Sequence, residues 1–328
     1  MQLILFGVEK FTIVLSLQRH AFTVITRGMD MNMNIPGLDQ STLPFSLSSL
    51  HALLDMVLAA GKTAVDMRAE VDISTKSGPE DLVTCADKKL SEILMAGLGR
   101  EFPNDQIISE EHPFETTGAG SRRWFIDPID GTKHYVNETG RWSVMVGLVD
   151  GDDPIFGIVY IPAKQTLYFG GPSCGSWSQK SGGEFKKLNL PVLDEGKFVR
   201  TLISKNDLAK NMWASSIPGI EILTASSIGL DMHEVLVSAS DAFVHIRPTL
   251  KTWDTAAPAA ISLGAGLEIG SERGFGFTYP HDHARHDYCV VIGRKGSVEW
   301  WQRSYELCPV AELAPGKAVQ TPELVGCC

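Results

Sequence analysis

The stretch Ile126-Asp127-Pro128-Ile129-Asp130-Gly131-Thr132 places two carboxylates three residues apart at the end of an apolar run. The apolar run predicts a strand, and the Pro and Gly residues predict a tight turn after it. Carboxylates that converge in such a turn can bind a hard divalent cation, and their oxygen atoms suit Mg²⁺ or Mn²⁺ rather than zinc. The N–H groups of Gly131 and Thr132, at the start of a helical turn, favour an anion such as phosphate. The alternative is an ordinary Asx-Pro turn in which Asp130 caps a helix.

Two further acidic segments stand at the ends of predicted elements. Ile107-Ile108-Ser109-Glu110-Glu111 carries a carboxylate pair after a short strand, and Trp253-Asp254-Thr255-Ala256-Ala257 carries an Asp before a helix of small residues. Taken singly, Glu110 fits a solvated loop acid and Asp254 fits a helix N-cap. Taken with the first motif, they supply the carboxylates that a two-metal phosphoryl-transfer site requires.

In chain order, these motifs resemble a known family. Asp87, the segment 109–111, the hexapeptide 127–132 and the segment 253–257 are similar to the inositol monophosphatase superfamily of Mg²⁺-dependent, lithium-sensitive phosphatases. The resemblance covers about residues 47–295 and implies a layered αβαβα sandwich of the inositol monophosphatase and fructose-1,6-bisphosphatase type.

One branch of that superfamily is resembled most. Lys133 follows Thr132, Gly140 precedes an aromatic residue, and Ser109 precedes the Glu pair. These features look most like the bacterial 3'(2'),5'-bisphosphate nucleotidases, whereas inositol monophosphatases generally have Gly in place of the Ser.

The resemblance also implies a role for each matching position. Glu110, Asp127 and the carbonyl of Ile129 would bind one Mg²⁺, and Asp127, Asp130 and Asp254 a second, with two or three ions per site. Asp87 would bond to the Thr132 hydroxyl and orient the attacking water. Without the family, Asp87 fits an early-helix acid favoured by the helix dipole. The expected substrate-binding positions are Glu110, Ile129, Asp130, Gly131, Thr132, Lys133, Arg247 and Asp254.

The sequence departs from the family at positions that bear on the substrate. Arg247 stands where inositol monophosphatases usually carry a Glu that contacts a sugar hydroxyl, and an Arg suits a second phosphate through bidentate pairing. Against this, Asp231 would repel a nearby second phosphate unless it points away or pairs with His233. His233 itself stands about where the nucleotidases tend to have a Lys.

Periodicity predicts an α/β protein with two different halves. Helices at 46–70 and 86–98 precede strands at 106–109, 123–126, 143–149, 154–161 and 166–169, which is typical of an α+β half with an antiparallel meander. After a Gly- and Ser-rich loop at 172–183, strands and helices alternate, as in an α/β half. The predicted strands there are 199–204, 220–223 and 242–246, with others near 267 and at 288–292, and the predicted helices are 207–217, 228–237 and 255–263.

Four segments follow from this pattern. We expect residues 1–45 to be an N-terminal extension outside the catalytic fold, 46–184 to be the metal-binding α+β domain, 185–302 to be the α/β domain and 303–328 to be a C-terminal tail. Lys76-Ser77-Gly78 is either a flexible lid or a surface turn. The segment 281–287, which contains three His residues, is predicted to be a solvated loop rather than a metal site, because its spacing matches no zinc module.

Composition excludes several classes of protein. The 328 residues carry 29 Lys and Arg against 39 Asp and Glu, a net charge of −10, so no basic face for a nucleic-acid polymer is expected. The apolar first thirty residues are broken by charges, which argues against a membrane span. The six cysteines show no C-x-x-C pair, which favours a reducing, cytoplasmic location.

We therefore expect a Mg²⁺-dependent phosphomonoesterase that hydrolyses 3'-phosphoadenosine 5'-phosphate to AMP and phosphate. The partner would be a small phosphorylated substrate, and the chain would be a monomer or homodimer. The alternatives are an inositol or other small sugar monophosphatase, and a regulatory binding protein with a residual phosphatase site.

Overall fold

The computed structural model describes residues 5–8, 11–14, 35–68, 73–75, 82–114, 121–190, 192 and 199–306 of the chain. Its contacts divide the chain after residue 34. In the first unit, strands β1 (Leu5–Val8) and β2 (Phe11–Val14) form an antiparallel pair. All other elements belong to the second unit, residues 35–328.

Helices α1 (Leu47–Met67) and α2 (Cys85–Glu101) confirm the two predicted N-terminal helices. Ser46 caps α1 because its hydroxyl accepts the Ser49 N–H at 3.1 Å. Between the helices, strands β3 (Ile73–Thr75) and β4 (Leu82–Thr84) pair where the sequence predicted only a turn. Residues 76–81, which include the candidate lid, lie outside the described residues.

Seven strands form the first sheet, and a short helix, α3 (Thr132–Val136), follows its second strand. In space, the strands lie in the reverse of their order along the chain. The two strands that come first in the chain are parallel to each other, and all other neighbouring strands are antiparallel. The antiparallel meander predicted at 143–169 is confirmed. The strands are β5 (Gln106–Ser109), β6 (Arg122–Asp130), β7 (Ser143–Asp150), β8 (Asp153–Ile161), β9 (Thr166–Gly171), β10 (Gly175–Lys180) and β11 (Lys186–Lys187).

Strand β10 lies within residues 172–183, where the prediction of a Gly- and Ser-rich loop was wrong, and β11 follows that segment. Trp177 in β10 is fully buried and stacks on Phe169 of β9, with 5.5 Å between the ring centroids. This tertiary contact outweighs the weak strand propensity of the small residues around Trp177.

Six strands form the second sheet, in the spatial order β13-β12-β14-β17-β15-β16. β12 runs parallel to β13 and β14, and the other neighbours are antiparallel, so the predicted α/β character of this half is confirmed. The strands are β12 (Val199–Ile203), β13 (Ile220–Thr224), β14 (Ala242–His245), β15 (Glu268–Ser271), β16 (Gly274–Phe275) and β17 (Val290–Gly293). The helices of this half are α4 (Lys205–Lys210), α5 (Ile228–Leu236), α6 (Thr252–Gly264) and α7 (Ser297–Glu306).

Two helices of this half differ from the prediction. The helix expected at 207–217 is divided, because Asn211 leaves helical geometry (φ −137°, ψ 58°) and a 3₁₀ helix spans Met212–Ser216. Helix α7, which the sequence analysis did not predict, runs across the boundary that the sequence placed between residues 302 and 303. Residues 307–328 lie outside the described residues.

The elements stack in the αβαβα order that the resemblance implied. Helices α1 and α2 cover one face of the first sheet, and α6 lies between the two sheets with α5 beside it. A second cluster of buried side chains, including Trp213 and Trp301, covers the far face of the second sheet. The main core is therefore the layer between the two sheets.

Residues 35–45, which the sequence placed in the N-terminal extension, pack against the first sheet. Phe45 contacts Trp124 and Phe156, with ring centroids 6.1 and 4.8 Å apart, and the Pro36 carbonyl accepts the indole N–H of Trp177. These short apolar contacts have no sequence period, so hydrophobic spacing does not detect them.

Three of the six cysteines lie in the described residues. Cys85, Cys174 and Cys289 form no disulfide bond within this part of the chain, and burial raises the pKa of Cys174 to about 11. Within the described residues, no helix combines the length and apolar composition needed to cross a bilayer.

The spacing between the first sheet and α6 depends on two glycines. A methyl group at Gly147 or Gly157 would overlap the backbone of α6 at Ala256 and Ala257. We expect Gly147→Ala to lower the free energy of unfolding by about 1–3 kcal/mol, as overpacking does. Chemical denaturation checks this.

The control is Gly99→Ala in α2. There the nearest atom to an added methyl group is Ile107 Cδ1, at an ordinary 3.7 Å. This variant should be equally stable or about 0.4–1 kcal/mol more stable. Equal unfolding free energies for the two variants would contradict the close approach of α6.

Candidate active site

Strand β6 extends further into the first motif, residues 126–132, than the sequence predicted. The strand continues through Asp130, with Asp127 opposite Met145 and Asp130 opposite Ser143 on β7. Between these two pairs, β6 advances by three residues and β7 by only two. The extra residue in β6 forms a β-bulge rather than the expected tight turn. The bulge changes the direction in which the two carboxylates point without ending the strand.

Gly131 then takes the left-handed conformation (φ 84°) and caps α3. A Cβ atom there would lie 2.8 Å from Ser227 Cβ and 3.1 Å from the Arg141 carbonyl oxygen. Glycine is therefore required both by its backbone conformation and by the space around it. The predicted helical turn after the hexapeptide is confirmed as α3.

Asp130 connects the first sheet to the start of α5. Its Oδ2 accepts the Ser143 hydroxyl at 2.8 Å and the Gly229 N–H at 2.8 Å, and its Oδ1 accepts the Ile228 N–H at 3.1 Å. A carboxylate in this place is stabilised by the helix N-terminus. Burial raises the pKa of Asp130, and these hydrogen bonds oppose the rise.

Asp87 lies at the start of α2 and contacts Thr132. Its Oδ2 accepts the Thr84 N–H at 2.8 Å, which closes a capping box, and its Oδ1 accepts the Thr132 hydroxyl at 3.2 Å. The carboxylate is 1% exposed, and burial raises its pKa. Asp87 is therefore both the early-helix acid of the simple interpretation and the partner of Thr132 that the family resemblance implies.

Asp127 is the centre of the acidic cluster, which consists of Asp87, Glu110, Asp127, Asp130 and Asp254. Burial raises the pKa of Asp127 well above its ordinary value, and repulsion from the other four carboxylates raises it further. Its Oδ1 is buried and has no hydrogen-bond partner among the described residues. A buried carboxylate oxygen without a donor, among like charges, needs a cation.

Asp254, at the start of α6, shares this environment. Burial and the charge of Glu110 raise the pKa of Asp254 to about 8, although its Oδ2 accepts the Lys251 N–H at 2.7 Å. The donor set is oxygen only, which suits a hard divalent cation. In the described part of the chain, no three Asp, Glu, His or Cys side chains are already arranged as a complete set of metal ligands.

Lys133 and Arg247 are not part of this cluster. Lys133 is exposed on α3. The Nε of Arg247 donates to the buried carboxylate of Asp207. Their predicted role toward substrate stays a prediction.

The two uncertain polar residues of α5 are buried. Asp231 is 2% exposed and accepts the Ser226 N–H at 2.9 Å, and burial raises its pKa to about 8. His233 does not pair with it, because its Nδ1 lies 2.6 Å from the Tyr168 hydroxyl. Burial and Lys164 lower the pKa of His233 to about 4.

The segment 281–287 is a loop, but one of its residues is not solvated as predicted. His281 and His283 are exposed, whereas His286 is 1% exposed and bonds to Thr255 at 2.7 Å and to Tyr288 at 2.9 Å. A buried histidine with two hydroxyl partners is a structural residue. Burial lowers the pKa of His286 to about 4.

Sequence reasoning missed the residues that hold the cluster in place. Ser143, the N–H groups of Ile228 and Gly229, and the N–H of Lys251 all bond to its carboxylates. Backbone donors carry no signal in residue type, so only the helix starts after residues 227 and 251 could have indicated them.

Comparison with known proteins identifies the family. A model of the inositol monophosphatase family matches residues 50–304, which is most of the chain. The chain belongs to the inositol monophosphatase family. It is therefore a member of a family of metal-dependent phosphatases that act on small phosphorylated substrates.

Individual relatives are distant. The chain is 28% identical over 229 residues to a fructose-1,6-bisphosphatase/inositol-1-monophosphatase of Aquifex aeolicus, covering 67% of this chain and 84% of the relative. It is 28% identical over 234 residues to the 3'(2'),5'-bisphosphate nucleotidase CysQ of Escherichia coli, covering 68% and 92%. The crystal structure of the extragenic suppressor protein suhB from Bartonella henselae has the same fold, with a TM-score of 0.67, 18% identity and coverage of 79% and 99%.

The acidic cluster predicts a specific effect of removing one charge. We expect Asp127→Asn to raise the melting temperature in EDTA, by about 2–4 °C for each kcal/mol of relieved repulsion. In wild type, Mg²⁺ at 100 times its Kd should stabilise the fold by about 2.7 kcal/mol, and the variant should lose more than half of this gain. Thermal unfolding with and without Mg²⁺ measures both effects.

The matched control is Asp241→Asn, which removes a buried carboxylate outside the cluster. Asp241 pairs with Arg200 at 2.8 Å and with Arg294 at 3.4 Å. Its loss should lower stability in EDTA and leave the gain from Mg²⁺ intact. A gain from Mg²⁺ that is the same in wild type and Asp127→Asn would contradict a metal site at Asp127.

Proposed function

We propose that this chain is a Mg²⁺-dependent phosphomonoesterase that hydrolyses 3'-phosphoadenosine 5'-phosphate to AMP and phosphate. The contact between Asp87 and Thr132 beside the buried acidic cluster carries this proposal, because a proton acceptor lies next to a cation site. The similarity to CysQ and the positions of Lys133 and Arg247 support the bisphosphate substrate.

The residues present fit the metal ions that the family uses. Glu110, Asp127 and the carbonyl of Ile129 would hold one Mg²⁺, and Asp127, Asp130 and Asp254 a second. Bound there, the ions would lower the pKa of the attacking water and offset the charge that develops on the phosphoryl group. The unpartnered Oδ1 of Asp127 supports this assignment.

Asp87 and Thr132 act on the attacking water. The Thr132 hydroxyl lies 3.2 Å from both Asp87 Oδ1 and the Ile129 carbonyl oxygen. When it donates to Asp87, its lone pairs are left to accept a proton from water. Burial raises the pKa of Asp87, which makes it a stronger base than a solvated carboxylate. The capping bond from Thr84 fixes the other oxygen of Asp87, so the acceptor direction is set before substrate binds.

Other elements orient the phosphates. The N–H groups of Gly131 and Thr132 lie at the start of α3 and would bind the reacting phosphoryl group. Lys133 and Arg247 would bind the second phosphate. Asp231 is buried, and its carboxylate accepts hydrogen bonds from Ser226. This removes the objection that Asp231 would repel a nearby second phosphate.

Two further expectations belong with this proposal. The lack of a disulfide bond at Cys85, Cys174 and Cys289 in the described part of the chain is consistent with a reducing compartment, and we propose the cytoplasm. We also propose that the chain acts as a monomer or homodimer.

The Asp87 and Thr132 pair should act as one unit. We expect Asp87→Asn and Thr132→Ala each to lower kcat, because each interrupts proton transfer from the water. The double variant should be scarcely worse than either single variant, since groups that act together are non-additive. Single-turnover phosphate release at saturating Mg²⁺ measures this.

The outcome that contradicts the pair is a double variant whose loss equals the product of the single losses. Thr132→Ser, which keeps the hydroxyl, is the control and should retain most of the activity. Circular dichroism should show that Asp87→Asn keeps α2, because an amide oxygen can still accept the Thr84 N–H.

Arg247 should distinguish bisphosphate from monophosphate substrates. We expect Arg247→Ala to lower kcat/KM for 3'-phosphoadenosine 5'-phosphate more than tenfold, above about 1.4 kcal/mol, because the second phosphate loses its cation. Inositol 1-phosphate has no second phosphate and should show a much smaller loss. Steady-state kinetics on both substrates measure the difference.

Arg200→Ala is the matched control, because Arg200 also pairs with a buried Asp but lies at the opposite end of the parallel strands. It should affect the two substrates alike. If wild type prefers inositol 1-phosphate, the sugar monophosphatase replaces the nucleotidase as the proposed function.

A further inference from the structure

Three parallel strands of the second sheet end at the same edge. β13, β12 and β14 are neighbours in that order, and their carboxyl ends are Thr224, Ile203 and His245. Loops that follow parallel strands meet at one edge of the sheet, where ligands of open α/β folds bind. The three loops are therefore neighbours.

The outer two of these loops contact the acidic cluster. The loop after β13 leads to Ile228 and Gly229, whose N–H groups bond to Asp130. The loop after β14 contains Arg247 and leads to Asp254 at the start of α6. The central loop, after β12, leads to Asp207 in α4. Asp207 and Arg247 thus share the edge of the sheet at which the cluster lies.

The carboxylate of Asp207 is completely buried and holds Arg247. Its side chain is 0% exposed, and its Oδ1 accepts the Nε–H of Arg247. Ser204 fixes the backbone of Asp207, because its hydroxyl accepts the Asp207 N–H at 3.0 Å. A charged residue that is buried so fully is retained for a specific partner.

A histidine of β14 lies beside the same carboxylate, whose Oδ2 is buried and has no hydrogen-bond partner among the described residues. His245 Nδ1 lies 3.2 Å from Asp207 Oδ2, and His245 Nε2 lies 2.7 Å from the Thr249 hydroxyl. Burial lowers the pKa of His245, the charge of Asp207 opposes this shift, and Arg247 lowers the pKa further.

Arg247 differs from Arg200 in what remains unbonded. Arg200 donates its Nε and Nη2 groups to Asp241 and its Nη1 group to the Ala239 carbonyl. Arg247 donates only Nε to a described residue, and its side chain is 26% exposed. The Nη1 and Nη2 groups of Arg247 therefore have no partner among the described residues.

We propose that Asp207 is a positioning residue that sets the direction of the Arg247 guanidinium. Asp207 holds the Nε edge, so the two terminal amino groups point away from it and are oriented for a phosphate oxygen pair. The long side chain is ordered before substrate binds, so less conformational entropy is lost on binding. This inference rests on the proposed function, because the ligand it serves is the second phosphate of the substrate.

The test is Asp207→Asn, with the same two substrates. We expect KM for 3'-phosphoadenosine 5'-phosphate to rise at least tenfold while kcat falls less than threefold, because the amide no longer holds the guanidinium by charge. KM for inositol 1-phosphate should change less than threefold. A purely structural role for Asp207 would instead change both substrates together.

Asp241→Asn is the matched control, because it also removes a buried carboxylate from an arginine pair. Asp241 immediately precedes β14, at the edge of the sheet opposite to Asp207. Its loss should lower the melting temperature without changing the ratio of the two KM values. The double variant of Asp207→Asn and Arg247→Ala should match Arg247→Ala alone, since Asp207 acts only through Arg247.

A second variant covers the case in which Asp207→Asn fails to fold. Arg247→Lys keeps a positive charge but cannot bond to Asp207 and to a phosphate in the fork geometry of arginine. It should raise KM for the bisphosphate nearly as much as Arg247→Ala does.

The outcomes separate the two proposals. If wild type shows no preference for the bisphosphate, the nucleotidase function and this inference both fail. If wild type shows the preference and either Asp207→Asn leaves its KM unchanged or lower, or Arg247→Lys retains wild-type KM, the role of Asp207 is overturned while the function stands.

Discussion

Mutual repulsion among buried carboxylates is the constraint around which both sheets are arranged. Like charges in a buried site raise one another's pKa, and each must be offset by donors or by a cation. Asp130 is offset by the start of α5, Asp254 by the backbone of Lys251, and Asp87 by Thr84 and Thr132. Asp127 has a buried Oδ1 that meets no hydrogen-bond donor in the described part of the chain. The helices that supply the donors come from both halves of the chain, so the site and the packing of the two sheets form together.

Much of the fold could be predicted because the sequence is locally consistent. The leucines of α1 repeat at helical spacing, Thr84 and Asp87 form a capping box, and Ser143–Asp150 is a continuous apolar run. The spacing of acidic motifs also indicated the candidate site. What could not be predicted depends on distant contacts: the burial of Trp177 makes β10 a strand, and Phe45 extends the packed unit beyond the predicted start. The β-bulge at Asp127–Asp130 escaped prediction because its residues are also typical of a turn.

The chemistry and the specificity of the proposed enzyme come from different parts of the fold. Strand β6 and helix α2 of the first half supply Asp127, Asp130 and Asp87, which are the groups common to any phosphate ester at this site. Helix α4 and the loop after β14 supply Asp207 and Arg247, and we propose that Arg247, held by Asp207, binds what extends beyond the reacting phosphate. In the proposed enzyme, this division would allow the residues that recognise the substrate to change while the metal ligands stay the same.

Helix α6 fixes the thickness of the interior, because its small residues touch Gly147 and Gly157 without space for another carbon atom. Asp254 lies in the first turn of the same helix. The separation of the sheets therefore also sets the distance from Asp254 to Asp127. Interiors pack densely and transmit strain rather than absorb it. An increase in side-chain volume at residues 256–260 therefore widens a carboxylate pair that begins less than two helical turns away. Over evolutionary time, this would couple two rates: these residues could change in size only as fast as the metal affinity of the proposed site tolerates.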